Sequence, residues 1–106
     1  MLTRHQWRDV IDFSLAVDTP IVTSFAISPG TRNARGIWNP EQAWRLVLAT
    51  RAAGGRMVAA EFMNEPDIAS IGGAPAGYDV AAFARDFPLF QAFMRQVGQD
   101  VMILGP

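Results

Sequence analysis

The 106-residue chain has no cysteine, a single histidine, a single tyrosine and a net charge of only −1. Without cysteine there is no disulfide, no thiolate metal site and no cysteine nucleophile, and the redox compartment stays open. His5 stands near the start of the chain with no cluster of Asp, Glu or Cys at ligand spacing, so neither a metal nor any other cofactor is expected. A near-neutral charge gives no electrostatic reason for a nucleic-acid partner or an anionic membrane. No apolar run approaches the ~18 residues of a membrane span. The start of the chain leads into an amphipathic segment, not an apolar signal core. Gly72-Gly73 is followed by no Lys-Ser or Lys-Thr pair and is not a phosphate loop. All nine basic residues are arginine, which fits the codon usage of a GC-rich bacterial genome.

What is present is a globular composition, half hydrophobic and 18% charged. Thr3 and Gln6 are spaced as a capping box, and Trp7, Val10, Ile11 and Leu15 recur at helical spacing, so residues 4–17 read as a helix. Residues 21–27 form an apolar, β-branched strand. Asn39, Pro40 and Gln42 mark a second helix start, stopped by Gly54-Gly55. Residues 57–63 read as a strand. Asp79 opens a third helix with an apolar face of Phe83, Phe87, Phe90, Phe93 and Met94. Pro88 within it predicts a kink, or a restart capped by Asp86. Residues 100–104 are the last strand. This α-β-α-β-α-β order implies βαβ units and a parallel sheet. The two loops after strand ends, 28–39 and 66–78, are long against a usual ~2–6 residues, and loops on that side of a sheet commonly build a site.

Chemistry points to the turn Asn64-Glu65-Pro66, which ends the run Met57-Val58-Ala59-Ala60-Glu61-Phe62-Met63. A carboxylic acid at the carboxyl end of a parallel strand lies where α/β folds place their catalytic groups. Taken alone, the tripeptide reads as a polar turn in preference to a catalytic one. Strand alternation puts Glu61, Met63 and Glu65 on one face, with the two acids about 13 Å apart if the chain stays extended. That exceeds the about 5–5.5 Å of a retaining glycosidase pair and the about 6.5–9.5 Å of an inverting pair, so Glu61 and Glu65 are not such a pair. Asn64 can hydrogen-bond a sugar hydroxyl. Arg32 and Arg35 are either solvated or contacts for a uronate or sulfate. Trp38 reads as packing in preference to a sugar platform, and Tyr78 as a ligand contact or a helix-entry staple.

Trp38-Asn39 opening a helix, its glycine stop, Glu61-Phe62-Met63-Asn64-Glu65-Pro66, the Gly-containing loop, Arg85-Asp86-Phe87 and Ile103-Leu104-Gly105-Pro106 occur in that order. In these residues, and in Phe25-Ala26-Ile27, the chain resembles glycoside hydrolase family 79, which includes heparanase and β-glucuronidase. The Asn-Glu pair is shared with the wider clan of retaining barrels. The resemblance implies an α/β fold that is a fragment of a (β/α)8 TIM barrel, about strands three to five of eight, with all 106 residues in one partial catalytic domain. It implies Glu65 as general acid/base, Asn64 holding the sugar 2-hydroxyl, and a nucleophile outside this chain. The substrate would be a glucuronic-acid-containing glycoside or glycosaminoglycan-like chain. Arg32 and Tyr78 are candidate substrate contacts. The parent enzyme is expected to be secreted or periplasmic, and the isolated chain inactive. The alternative is a non-catalytic α/β domain or half-barrel that self-associates, joins another chain or binds carbohydrate.

Overall fold

The computed structural model describes residues 2–105; Met1 and Pro106, the last residue of the quoted strand-end motif, lie outside the described residues. The first helix, α1, spans Arg4–Ala16. Its capping box is formed: the Gln6 amide donates to Thr3 Oγ1 at 3.1 Å and the Thr3 amide to Gln6 Oε1 at 2.9 Å. Strand β1 covers Ile21–Ser24 and helix α2 covers Glu41–Ala52. Asn39 caps α2 by accepting from the Glu41 amide at 2.9 Å, with Pro40 at the first bend. Strand β2 is Met57–Glu61, helix α3 is Val80–Val97 and strand β3 is Met102–Leu104. Asp79 caps α3 through the Ala82 amide at 2.9 Å.

Pro88 neither breaks α3 nor restarts it; the helix is continuous across it. The expected cap, Asp86, is instead fully buried inside the helix. The proline removes the donor for the carbonyl of Ala84, and Ala84 and Pro88 are both exposed, so water can replace the lost bond. All three strands are shorter than the sequence suggested. Phe25 and Ile27 stay buried without continuing the ladder, because beyond the first bond, from the Phe25 amide to the Glu61 carbonyl at 3.3 Å, β2 itself has ended.

The sheet order is β1-β2-β3, both pairs parallel. Right-handed crossovers in that order bring successive helices to the same face. The core agrees: Ala43 and Val47 of α2 and Phe90, Phe93, Met94 and Val97 of α3 share one cluster with Phe25, Ala60 and Phe62. Helix α1 joins the layer through Trp7 and Ile11, which pack with Ile21 and with Leu46, Ala49 and Ala53. The Trp7 indole donates to Thr50 Oγ1 at 2.8 Å, so the buried indole N–H is satisfied. The phenylalanine stripe of α3 forms the core, and Trp38 packs among its rings, 5.3 Å from Phe62 and 5.9 Å from Phe93.

The barrel expectation is corrected by this topology. The chain forms an open three-stranded parallel sheet with three helices, not a closed barrel. Closure requires tilt and stagger accumulated over about eight strands. Here β1 and β3 are both free edges. The face away from the helices is covered only at its centre: in the register row Val22-Ala59-Met102, Ala59 is buried, whereas Val22 is 58% and Met102 64% exposed.

Candidate functional site

The chain leaves the extended conformation immediately after Glu61. Phe62 and Met63 are both buried in the same cluster, which strict alternation forbids. The expected row of Glu61, Met63 and Glu65 on one face is therefore not formed, and the 13 Å separation, which assumed a straight strand, loses its premise. Glu61 stays half-buried at the strand end, beside the backbone of Gly105. Asn64 and Glu65 emerge to the surface, and the 3-10 turn Pro66–Ile68 follows.

Glu65 has φ +48° and ψ +66°, the left-handed region. An L-residue with a Cβ held there costs about 1–2 kcal/mol. Asp18 has φ +50°, but it closes the end of α1, where left-handed residues are common and Asp tolerates them well. Glutamate has no such local compensation. Two contacts hold the turn: the Ile68 amide donates to the Glu65 carbonyl at 3.0 Å, and Asn64 Nδ2 donates to Glu65 Oε2 at 3.4 Å. The returning loop presses on the same place, because a Cβ on Gly72 would lie 3.3 Å from the Asn64 carbonyl oxygen. The result is an exposed carboxylate and amide, side by side, on a constrained turn at the carboxyl end of the central strand.

A second constellation anchors both long loops. The buried carboxylate of Asp86 accepts from Arg32 Nη1 at 2.6 Å, Tyr78 Oη at 3.0 Å and Arg85 Nε at 2.9 Å. The Trp38 amide adds a longer contact at 3.5 Å. Arg32 belongs to the first loop and Tyr78 to the end of the second, so one carboxylate ties the two together. The Arg32 guanidinium carbon also lies 5.0 Å from the Tyr78 ring centre. Burial alone would push the Asp86 carboxyl up, but the bonds from Arg85, Arg32 and Tyr78 outweigh it and hold it below the usual carboxylate range. Burial, then the Asp86 carboxylate, push the Tyr78 hydroxyl up to about 12. Arg32 Nη2 is buried with no partner among the described residues.

The candidate residues thus fall into two pairs. Asn64 is brought against Glu65, and Arg32 against Tyr78, with no hydrogen bond or ion pair between the pairs among the described residues. Arg32 is not a solvated loop arginine: its side chain is 3% exposed. Asp86, the residue on which the loops converge, was readable only as a helix cap. Its position offers a signal, since it falls on the Phe83, Phe87, Phe90 stripe, where a charge must be paired to be buried. No group of three or more His, Cys, Asp or Glu among the described residues could hold a metal ion. No helix among them is long and apolar enough to cross a membrane. No protein-family model, curated protein or solved structure matches the chain.

Proposed function

We propose that the chain contributes the acid/base half of a retaining glycoside hydrolase site for glucuronic-acid-containing glycosides. Glu65 protonates the leaving glycosidic oxygen and then takes a proton from the incoming water. Asn64 holds the 2-hydroxyl of the sugar. The nucleophilic carboxylate comes from outside this chain, at the about 5–5.5 Å that a retaining pair requires. Arg32 and Tyr78, both bound to Asp86, shape the wall of the site through the loops they anchor.

One observation carries the reading: an exposed glutamate is kept in a left-handed conformation beside an asparagine amide at the end of the central strand. Backbone strain of this kind concentrates at functional positions. The resemblance to glycoside hydrolase family 79 in the stretch Glu61 to Pro66 supplies the substrate class. The test is a titration of the chain with phenyl β-D-glucuronide, followed by the amide resonances of Asn64 and Glu65. The expected result is saturable shifts at these residues, lost in Asn64→Ala and reduced when phenyl β-D-glucoside replaces the glucuronide. Identical weak shifts in wild type and Asn64→Ala overturn the reading.

The partly uncovered sheet face favours a second reading, a non-catalytic α/β domain that assembles with another chain. Parallel sheets are stable when both faces are covered, and Val22 and Met102 lie bare. Under this reading the sugar titration gives nothing, and burial of Val22 and Met102 accompanies association.

A further inference from the structure

The free edge of β1 opens into a groove of about 700 Å³ bounded by the start of α1, the start of α2 and residues 23–26. Its lining takes in Thr23 and Ser24, the last two residues of β1, and the two residues that follow, so it runs along the carboxyl end of that strand. The amides of Ile21 and Phe25 donate to the Arg56 and Glu61 carbonyls, towards β2. In a parallel ladder the intervening residues point the other way. Val22 and Ser24 thus direct their N–H groups into the open edge, where no strand lies. The Ser24 carbonyl is answered locally by Thr23 Oγ1 at 3.1 Å, and the Ala26 carbonyl by the Trp38 indole at 3.1 Å. What remains on offer is main-chain hydrogen bonding at Ser24, which lines the groove, and at Val22, two residues before it on the same free edge.

The walls add the side-chain chemistry. Trp7, Phe25 and Leu46 give the groove an apolar floor. Arg4 stands in its wall with no hydrogen-bond or ion-pair partner among the described residues, whereas Arg45 on the same wall is paired with Glu41. Unpaired backbone donors, an apolar floor and an unanswered cation fit one kind of occupant. We propose that this edge docks an extended segment of another polypeptide, which adds to the sheet beside β1, sets apolar side chains on the floor and brings a carboxylate to Arg4. This mode draws affinity from main-chain bonds and selectivity from the alternating side chains. It is independent of Glu65, which does not line the groove.

The probe is a synthetic eight-residue peptide of alternating valine and threonine with glutamate at each end. Amide hydrogen exchange at Val22 and Ser24 is expected to slow about tenfold or more on binding, as for other amides newly closed into a ladder. Arg4→Gln, or glutamine in place of the terminal glutamates, should weaken binding about threefold, the scale of one exposed ion pair. Val22→Pro removes an edge donor at a position where proline is tolerated. It should leave the circular dichroism unchanged and abolish the protection at Ser24. Three results overturn the proposal: no change at Val22 and Ser24, equal binding by Val22→Pro, or peptide-independent self-association that protects the same amides, which would make the occupant a second copy.

Discussion

Replacing Asp86 by alanine removes the acceptor on which both long loops converge. The carboxylate is 0% exposed and its partner, the Arg32 guanidinium, is 3% exposed. The substitution leaves a buried cation unpaired, with the Tyr78 hydroxyl and the Trp38 amide losing an acceptor as well. Breaking a buried pair in this way costs about 3–5 kcal/mol. A chain of this length is stable by about 5–15 kcal/mol in all, so about a fifth or more is at stake. The midpoint of thermal unfolding should fall by about 10–20 °C. Urea unfolding followed by tryptophan fluorescence and circular dichroism measures the change directly. The double variant Arg32→Met, Asp86→Leu should recover most of the loss, because no unpaired charge then remains. The pH dependence has a definite sign. The folded pKa of Asp86 is lowered, so its contribution is complete above the unfolded carboxyl value of about 4 and is lost as pH falls through the lower folded value. Asp86→Ala should be correspondingly less sensitive to acid. A loss below about 1 kcal/mol, or a double variant worse than the sum of the singles, would refute the reasoning.

Tyr78 is the only tyrosine, so the absorbance of tyrosinate reports it alone. Its titration midpoint should lie near 12, against about 10 in the unfolded chain, and stability should fall as pH rises between the two values; a midpoint near 10 sinks the assignment. Glu65→Gly should relieve the left-handed strain and stabilise the fold by about 0.5–1 kcal/mol in urea unfolding while removing the response to phenyl β-D-glucuronide; a net loss of stability would show that no strain is stored there. Gly55 sits where a Cβ would lie 2.9 Å from Thr50 Cγ2 and 3.0 Å from Ile11 Cγ2, so Gly55→Ala should cost about 1–3 kcal/mol. Gly30→Ala, into open space, should stay within about 0.5 kcal/mol in the same assay.

The parts of the fold that were legible are those written locally. Thr3 and Gln6, Asn39, and Asp79 each bind the backbone within three residues, so their caps can be read from spacing alone. The alternation of helix and strand likewise implied the parallel sheet. The strand ends were not legible. Phe62 and Met63 both turn into the helix layer because the core there accepts two consecutive large side chains, and no periodicity announces that. Barrel closure was not legible either, since it depends on how many strands meet, not on any local pattern. Within the candidate site, Asn64 and Glu65 were visible as neighbours at a strand end. The joining of Arg32 to Asp86 spans 54 positions and needs the folded core to bring it about. Pro88 misdirected the reading of Asp86, because a proline inside a helix resembles a helix start until its exposed position is known.

In the function proposed above, Asn64 and Glu65 face a glucuronide. A crystal structure of the chain with phenyl β-D-glucuronide tests it most directly. The glycosidic oxygen is expected within about 2.6–3.2 Å of the Glu65 carboxyl, with the 2-hydroxyl on the Asn64 amide. A sugar bound elsewhere, or seated at this turn with its glycosidic oxygen turned away from Glu65, contradicts it.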